Sequence, residues 1–163
     1  IYCSYIELGL LYEKQNDFEQ ALYYWQQGII HDPSRAECWY HTARRHSWNK
    51  HTELAYIFGK QASEVPFPVG NRLFIMTDIY KYWCYYEWCI NAYKLQKYSE
   101  SYQAFKKLMA ACPQDLLDRV AHQLTHYADL ISEDSFAEVS ELSLNLNRLN
   151  RINLLHETLA NNR

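Results

Sequence analysis

The sequence predicts an all-α fold, an antiparallel helix-pair solenoid, and three observations support that prediction. Only 4 Gly and 4 Pro punctuate 163 residues, too few for sheets joined by tight turns. Apolar residues fall at helical spacing: Leu8 and Tyr12 lie one turn apart, and Ala21, Trp25 and Gly28 share one face of the next helix. The same size pattern then recurs 34 residues on, with Trp39 for Tyr5, Ala43 for Gly9, Ala55 for Ala21 and Ala62 for Gly28.

Composition narrows the function classes. The chain is 48% hydrophobic and 16% aromatic, which excludes a disordered polypeptide. Sixteen basic against nineteen acidic residues leave a formal charge of −3, so no general pull toward phosphate backbones follows and nucleic acid is excluded as a partner. No apolar run approaches the roughly 20 residues of a membrane span and no signal-peptide pattern is present, so no membrane association and a cytoplasmic setting are expected. Five scattered Cys (3, 38, 84, 89 and 112) read as buried reduced thiols rather than a disulfide framework. The chain opens at Ile1 already in helical pattern and is expected to be a piece of a longer protein.

The first unit spans about residues 2–35. Tyr5, Leu8, Gly9 and Tyr12 are followed by Ala21, Trp25, Gly28 and Pro33. Gly9 and Gly28 are small where two helices must approach, which offsets the cost of about 1 kcal/mol for Gly inside a helix. Asn16 and Asp17 mark the turn, with Asp17 placed to cap the second helix and Gln20 at the reciprocal position. These spacings resemble a tetratricopeptide repeat, with Tyr5 where that pattern has Trp and Trp25 where it has Phe.

A second, degenerate unit covers about 36–66 and opens on Ser34-Arg-Ala-Glu37, a capping-box sequence; Thr42, His46 and Gly59 depart from the pattern. Val65–Asn71, with two Pro and one Gly, reads as an extended linker. The third unit covers about 77–113. Its first helix is expected to start at a Thr77-Asp78 cap and run to about Gln96. Tyr98, Ser101, Phe105, Leu108 and Pro113 mirror Phe18, Ala21, Trp25, Gly28 and Pro33. Counting from Tyr93 to Tyr98, the turn of this unit reads as one residue shorter than that of the first. A closing helix over 114–132 would complete a repeat domain over 1–132. A C-terminal helical extension over 133–163, with a frayed end, would follow it.

Nothing in the chain has the spacing of a catalytic or metal site. Asp-x-Asp and a Gly-rich phosphate loop are absent, and Glu133-Asp134 sits at a helix start. His41, His46 and His51 fall five apart, as do Cys84 and Cys89, which rotates each ligand away from the last on a helix. No catalytic residues, cofactor or metal are therefore expected. The crowd at Tyr80, Tyr82, Trp83, Tyr85, Tyr86 and Trp88 is too wide for one buried stripe; part is expected to pack in the core and the rest to face the linker, a neighbouring repeat or a partner.

Residues 73–105 are similar to helical repeat segments that follow the catalytic domain in some family-2-type glycosyltransferases. Asp78, Ile79-Tyr80, Glu87, Ala92-Tyr93 and Tyr98 carry the likeness. The tetratricopeptide resemblance implies an inner groove lined by first-helix side chains. By position these are Ile6, Leu10, Glu13 and Lys14, then Tyr40, His41, Arg44 and Arg45, then Glu87, Asn91 and Lys94. Chaperone-tail clamps of that family put polar donors where Ile6 and Leu10 stand here, whereas Arg44 and Arg45 suit either an acidic segment or a solvated edge. Together the two resemblances imply a non-catalytic interaction or accessory scaffold, positioned beside an upstream catalytic domain or associating with itself. The alternative they imply is a stand-alone adaptor for a peptide or partner protein.

Overall fold

A computed structural model describes residues 1–70, 74–113 and Leu116. Every element among them is helical, in the order Tyr2–Lys14 (α1), Phe18–His31 (α2), Ala36–Trp48 (α3), Thr52–Glu64 (α4), a π-helical turn at Ile79–Trp83, Cys84–Lys94 (α5) and Tyr98–Ala111 (α6). No strand occurs among the described residues. Each helix packs on the next, so α1–α2, α3–α4 and α5–α6 form three antiparallel pairs, and α3 also packs on both α1 and α5. The described residues form the all-α helix-pair solenoid that the sequence predicts. The closing helix over 114–132 and the extension over 133–163 lie outside the described residues, Leu116 apart.

The repeat shows most sharply in the turns. Asn16, Lys50 and Gln96 adopt φ of 62°, 63° and 60°, each two residues past a helix end. Behind each, an amide reaches back to close the helix: Asp17 N to Tyr12 O, His51 N to His46 O and Lys97 N to Ala92 O, all at 2.9 Å. A second bond runs from each left-handed residue itself, Asn16 to Glu13, Lys50 to Ser47 and Gln96 to Tyr93. This is the paired closure of a Schellman end, met three times with no glycine. It also corrects the third unit. Its turn is as long as the others, and Ala92, not Tyr93, stands where Tyr12 and His46 stand. The sequence reading followed the aromatic ring, which lies one position further along.

Small residues mark the crossings. A methyl on Gly9 would run into the indole of the fully buried Trp25, and one on Gly28 would meet Cys38 Sγ of α3. Gly59 takes the place of Trp25 in the second pair because α5 lies close there: a methyl would sit 3.1 Å from Trp88 N. Ser101 fills the slot of Ala21, its hydroxyl donating to Cys89 O at 2.8 Å. Asp17 caps α2 as expected, accepting from Gln20 N at 3.2 Å.

The capping box proposed for α3 does not form. Ser34 instead bonds Asp32 Oδ1, and α3 begins at Ala36 without a side-chain cap. Glu37 is wholly buried and accepts from Arg35 Nη2 (2.5 Å) and Nε (3.2 Å), Tyr80 OH (2.9 Å), Tyr2 OH (3.4 Å) and Met76 N (3.3 Å). Four donor residues around an interior carboxylate outweigh one exposed hydroxyl at a helix start. The node ties α1, the entry to α3 and the 74–80 segment together.

The third pair departs again before α5. Asp78 precedes the π-turn but makes no side-chain cap, and Cys84 N bonds back five residues to Ile79 O. One extra residue per turn re-aims the rings that follow. Tyr82, Tyr86 and Trp88 are buried, and Tyr80, Trp83 and Tyr85 are half-buried. None of the six rings is exposed: they face the core and the neighbouring helices, one of the outcomes expected, and they form no exposed patch. α5 is packed from several sides, by α3, α4 and α6. Its rings, with Phe105, Leu108 and Met109, make the largest core cluster.

Candidate functional site

The first helices of the three pairs, α1, α3 and α5, stand side by side and share one face. With the turns aligned, Leu10, Arg44 and Ile90 are equivalent, as are Glu13, Ser47 and Tyr93, and Lys14, Trp48 and Lys94. Three clefts open along these helices. One of about 500 Å³ lies between α3 and α5 and is lined by Ser47, Trp48, Tyr86, Glu87, Ile90, Tyr93 and Lys94. A second, of about 530 Å³, lies between α3 and the π-turn segment, with Tyr40, His41, Arg44, Thr77, Asp78 and Trp83 among its walls. The third, about 620 Å³, runs along α1 past Ser4, Glu7, Leu8, Leu11 and Lys14 and also takes in Leu10.

Seven of the eleven residues expected in the groove line these clefts: Leu10, Lys14, Tyr40, His41, Arg44, Glu87 and Lys94. Glu87 does so from the floor, 3% exposed. Ile6, Glu13, Arg45 and Asn91 do not line them. Ile6 is a core residue at 3% exposure whose carbonyl accepts from Trp25 Nε1 at 3.4 Å. Its repeat equivalents Tyr40 and Tyr86 do line clefts, whereas the Ile6 side chain packs with Ala21, Trp25 and Cys38. Arg45 lies over the Phe18 ring at 3.8 Å and donates to Asn49 Oδ1 at 2.8 Å. Asn91 is fully buried and donates to the Glu87 carbonyl at 2.8 Å.

Glu13 is what decides the behaviour of the two arginines. It forms a close ion pair with Arg44 and sits 3.8 Å from Arg45 Nη1. Arg44 is further held over Trp48 at 4.7 Å and near Tyr40 at 5.8 Å. The pair is therefore not a free basic edge. Trp48, at 57% exposure, is the large ring left standing on this face.

Two titratable groups here are displaced by their surroundings. Burial raises the Glu87 carboxyl to about 7, with Arg44, Ser47, Lys94 and Asn91 pulling the other way. Burial lowers His41 to about 3, and the nearby Arg44 adds to the effect, so the imidazole is neutral. His41 stacks on Trp25 at 5.3 Å, and neither ring nitrogen has a hydrogen-bond partner.

His46 and His51 approach through their Nδ1 atoms at 3.3 Å at the α3–α4 turn, away from His41. Among the described residues no three His, Cys, Asp or Glu side chains come together in metal-binding geometry. All five cysteines are free; four are interior and Cys3 is half-buried. Burial pushes the Cys38 thiol up to about 12, the reverse of what a reactive thiol needs.

Residues 3–35 match the family model of the tetratricopeptide repeat. The matched repeat is the α1–α2 pair with its turn, and the alignment of turns carries its plan into α3–α4 and α5–α6. Searches of curated proteins and of solved structures found no match. No helix among the described residues is long and apolar enough to cross a membrane.

Sequence reasoning missed Ser47, Trp48, Tyr86, Ile90 and Tyr93. The signal was available: Trp48 lies 34 residues after Lys14, a position already assigned to the face. Ile90 and Tyr93 were lost through the one-residue error in the third turn.

Proposed function

We propose that this chain is a protein-interaction module that holds a segment of a partner polypeptide along the face of α1, α3 and α5. The observation that supports it is the cleft of about 500 Å³ between α3 and α5, where exposed Trp48 and Lys94 stand over walls formed by Tyr86, Ile90 and Tyr93. An aromatic anchor beside an apolar wall with a charged rim is the composition of a binding hot spot. The match to a tetratricopeptide repeat supports the same class of function.

An accessory role beside a glycosyltransferase-like catalytic domain rests on the sequence likeness over 73–105. Of the residues that carry it, Ile79, Glu87 and Ala92 are interior and serve packing. The interaction reading rests on the face itself and holds for a partner in the same chain or another.

The test is selection from a random library of terminally blocked peptides, using the chain as bait. Enrichment of a related peptide set is expected. Binding should weaken at least about tenfold in Trp48→Ala and Lys94→Ala, two exposed positions whose loss leaves the core intact. No enrichment, or full binding by both variants, would reject this face.

A further inference from the structure

We infer that the cleft between α3 and the π-turn segment is a subsite for an internal acidic residue, Asp or Glu, of the bound segment, held by His41 and Arg44. The inference rests on the interaction reading and specifies the chemistry of its partner.

Buried polar atoms in folded proteins are almost always hydrogen-bonded, so orphans at a cleft wall are informative. His41 is 2% exposed, and neither Nδ1 nor Nε2 has a partner. Arg44 lines the same cleft, and its buried Nε also lacks an acceptor although its terminal nitrogen pairs with Glu13. Three unmet demands thus sit on one α-helical turn, at positions 41 and 44. They are specific: a neutral imidazole needs one acceptor and one donor, and the guanidinium N–H needs an acceptor.

An anion that carries no proton, such as chloride or a free carboxylate, supplies acceptors only. A carboxylate-bearing residue inside a peptide supplies both kinds of group, two carboxylate oxygens for the imidazole N–H and Arg44 Nε, and backbone N–H groups for the other ring nitrogen. Arg44 is the cation on this wall, shared with Glu13, and Lys94 flanks the adjoining cleft. Asp78 lies on the opposite wall, where it limits the cleft to one acidic group rather than a run of them. The volume of about 530 Å³ takes one such residue with its neighbours' backbone.

Tyr40 and Trp83 wall the cleft with ring carbon, and a charge-assisted bond formed against such walls is stronger than one at an open surface. The stack of His41 on Trp25 fixes the ring plane before anything binds.

The peptide selection proposed above decides this separately from the interaction reading. The expected result is an enriched set with Asp or Glu at one fixed internal position. Replacement of that residue by Asn or Gln should weaken binding about tenfold or more. His41→Phe, which keeps an aromatic ring against Trp25, and Arg44→Gln should each erase the difference between the acidic peptide and its amide counterpart. In the unmutated chain, adding the acidic peptide should shift the ring ¹⁵N resonances of His41, a readout that survives if either variant fails to fold.

Enriched peptides with no acidic position would overturn the inference and leave the interaction face standing. So would an acidic position whose peptide leaves the His41 resonances unmoved. Equal displacement of the peptide by inorganic phosphate and by sodium chloride at matched ionic strength is expected; selective displacement by phosphate would assign the subsite to a free anion instead.

Discussion

Glu87 shows how one buried side chain can make a helix face sensitive to pH. Its carboxyl is raised from an ordinary 4.5 to about 7, chiefly by burial on α5. The folded chain thus holds this proton more tightly than the unfolded chain does. The stabilisation it brings is whole below about pH 4.5 and is lost as pH rises through about 7. Glu87→Gln cannot ionise. It should match the wild type in stability near pH 4.5 and become the more stable of the two as pH passes about 7. His41 works in the opposite sense: its pKa is lowered to about 3, so its contribution is present above about 6.5 and drains away as pH falls. That term is common to both proteins and cancels in their difference. Urea midpoints of the two proteins across this range check the sign, and a difference that narrows with rising pH would reject it.

The turn from α2 into α3 was misread because its decisive partners are distant in sequence. Ser34 and Glu37 are spaced as a capping box, but Glu37 is taken by Tyr2, Arg35 and Tyr80, which lie on α1, the α2–α3 loop and the π-turn. Glu37→Ala should cost about 3–5 kcal/mol, because it strands the buried Arg35 guanidinium and leaves three further donors without this acceptor. Glu37→Gln, which keeps an acceptor oxygen, should recover part of that loss. A cost under about 1 kcal/mol for the alanine variant, read from urea unfolding, would show that the node does not hold the segment. What was legible had a local cause: Asp17 capping α2, Gly9 opposite Trp25, and the matching small residues at Ala43, Ala55 and Ala62. What was not legible needed a third dimension. The π-turn adds one residue to a helix whose aromatic pattern is dense enough to fit either register. The proposed face is legible on α3 and blurred on α5 because Tyr93, not Ala92, has the look of Tyr12.

The three pairs are equivalent in plan but not in surroundings, and the difference lies on the outer side of α1. Cys38 and Thr42 of α3 are fully buried, with Cys38 Sγ lying against Gly28 of α2. The equivalent positions of α1 are Ser4 and Leu8, which instead line an open cleft, and Ser4 is exposed. Nothing among the described residues does for α1 what α2 does for α3. The same change at equivalent positions should therefore have unequal effects. Cys38→Leu must displace Gly28 or its own helix, an overpacking cost of about 1–3 kcal/mol. Ser4→Leu adds a methyl-rich side chain to open space and should stay within about 0.5 kcal/mol of the parent in dilute solution. Thermal or urea unfolding of the pair reads both numbers. Comparable losses at Ser4 and Cys38 would mean that the α1 face is covered in solution as the α3 face is. Light scattering of the Ser4→Leu protein would then show whether a second copy of the chain provides the cover.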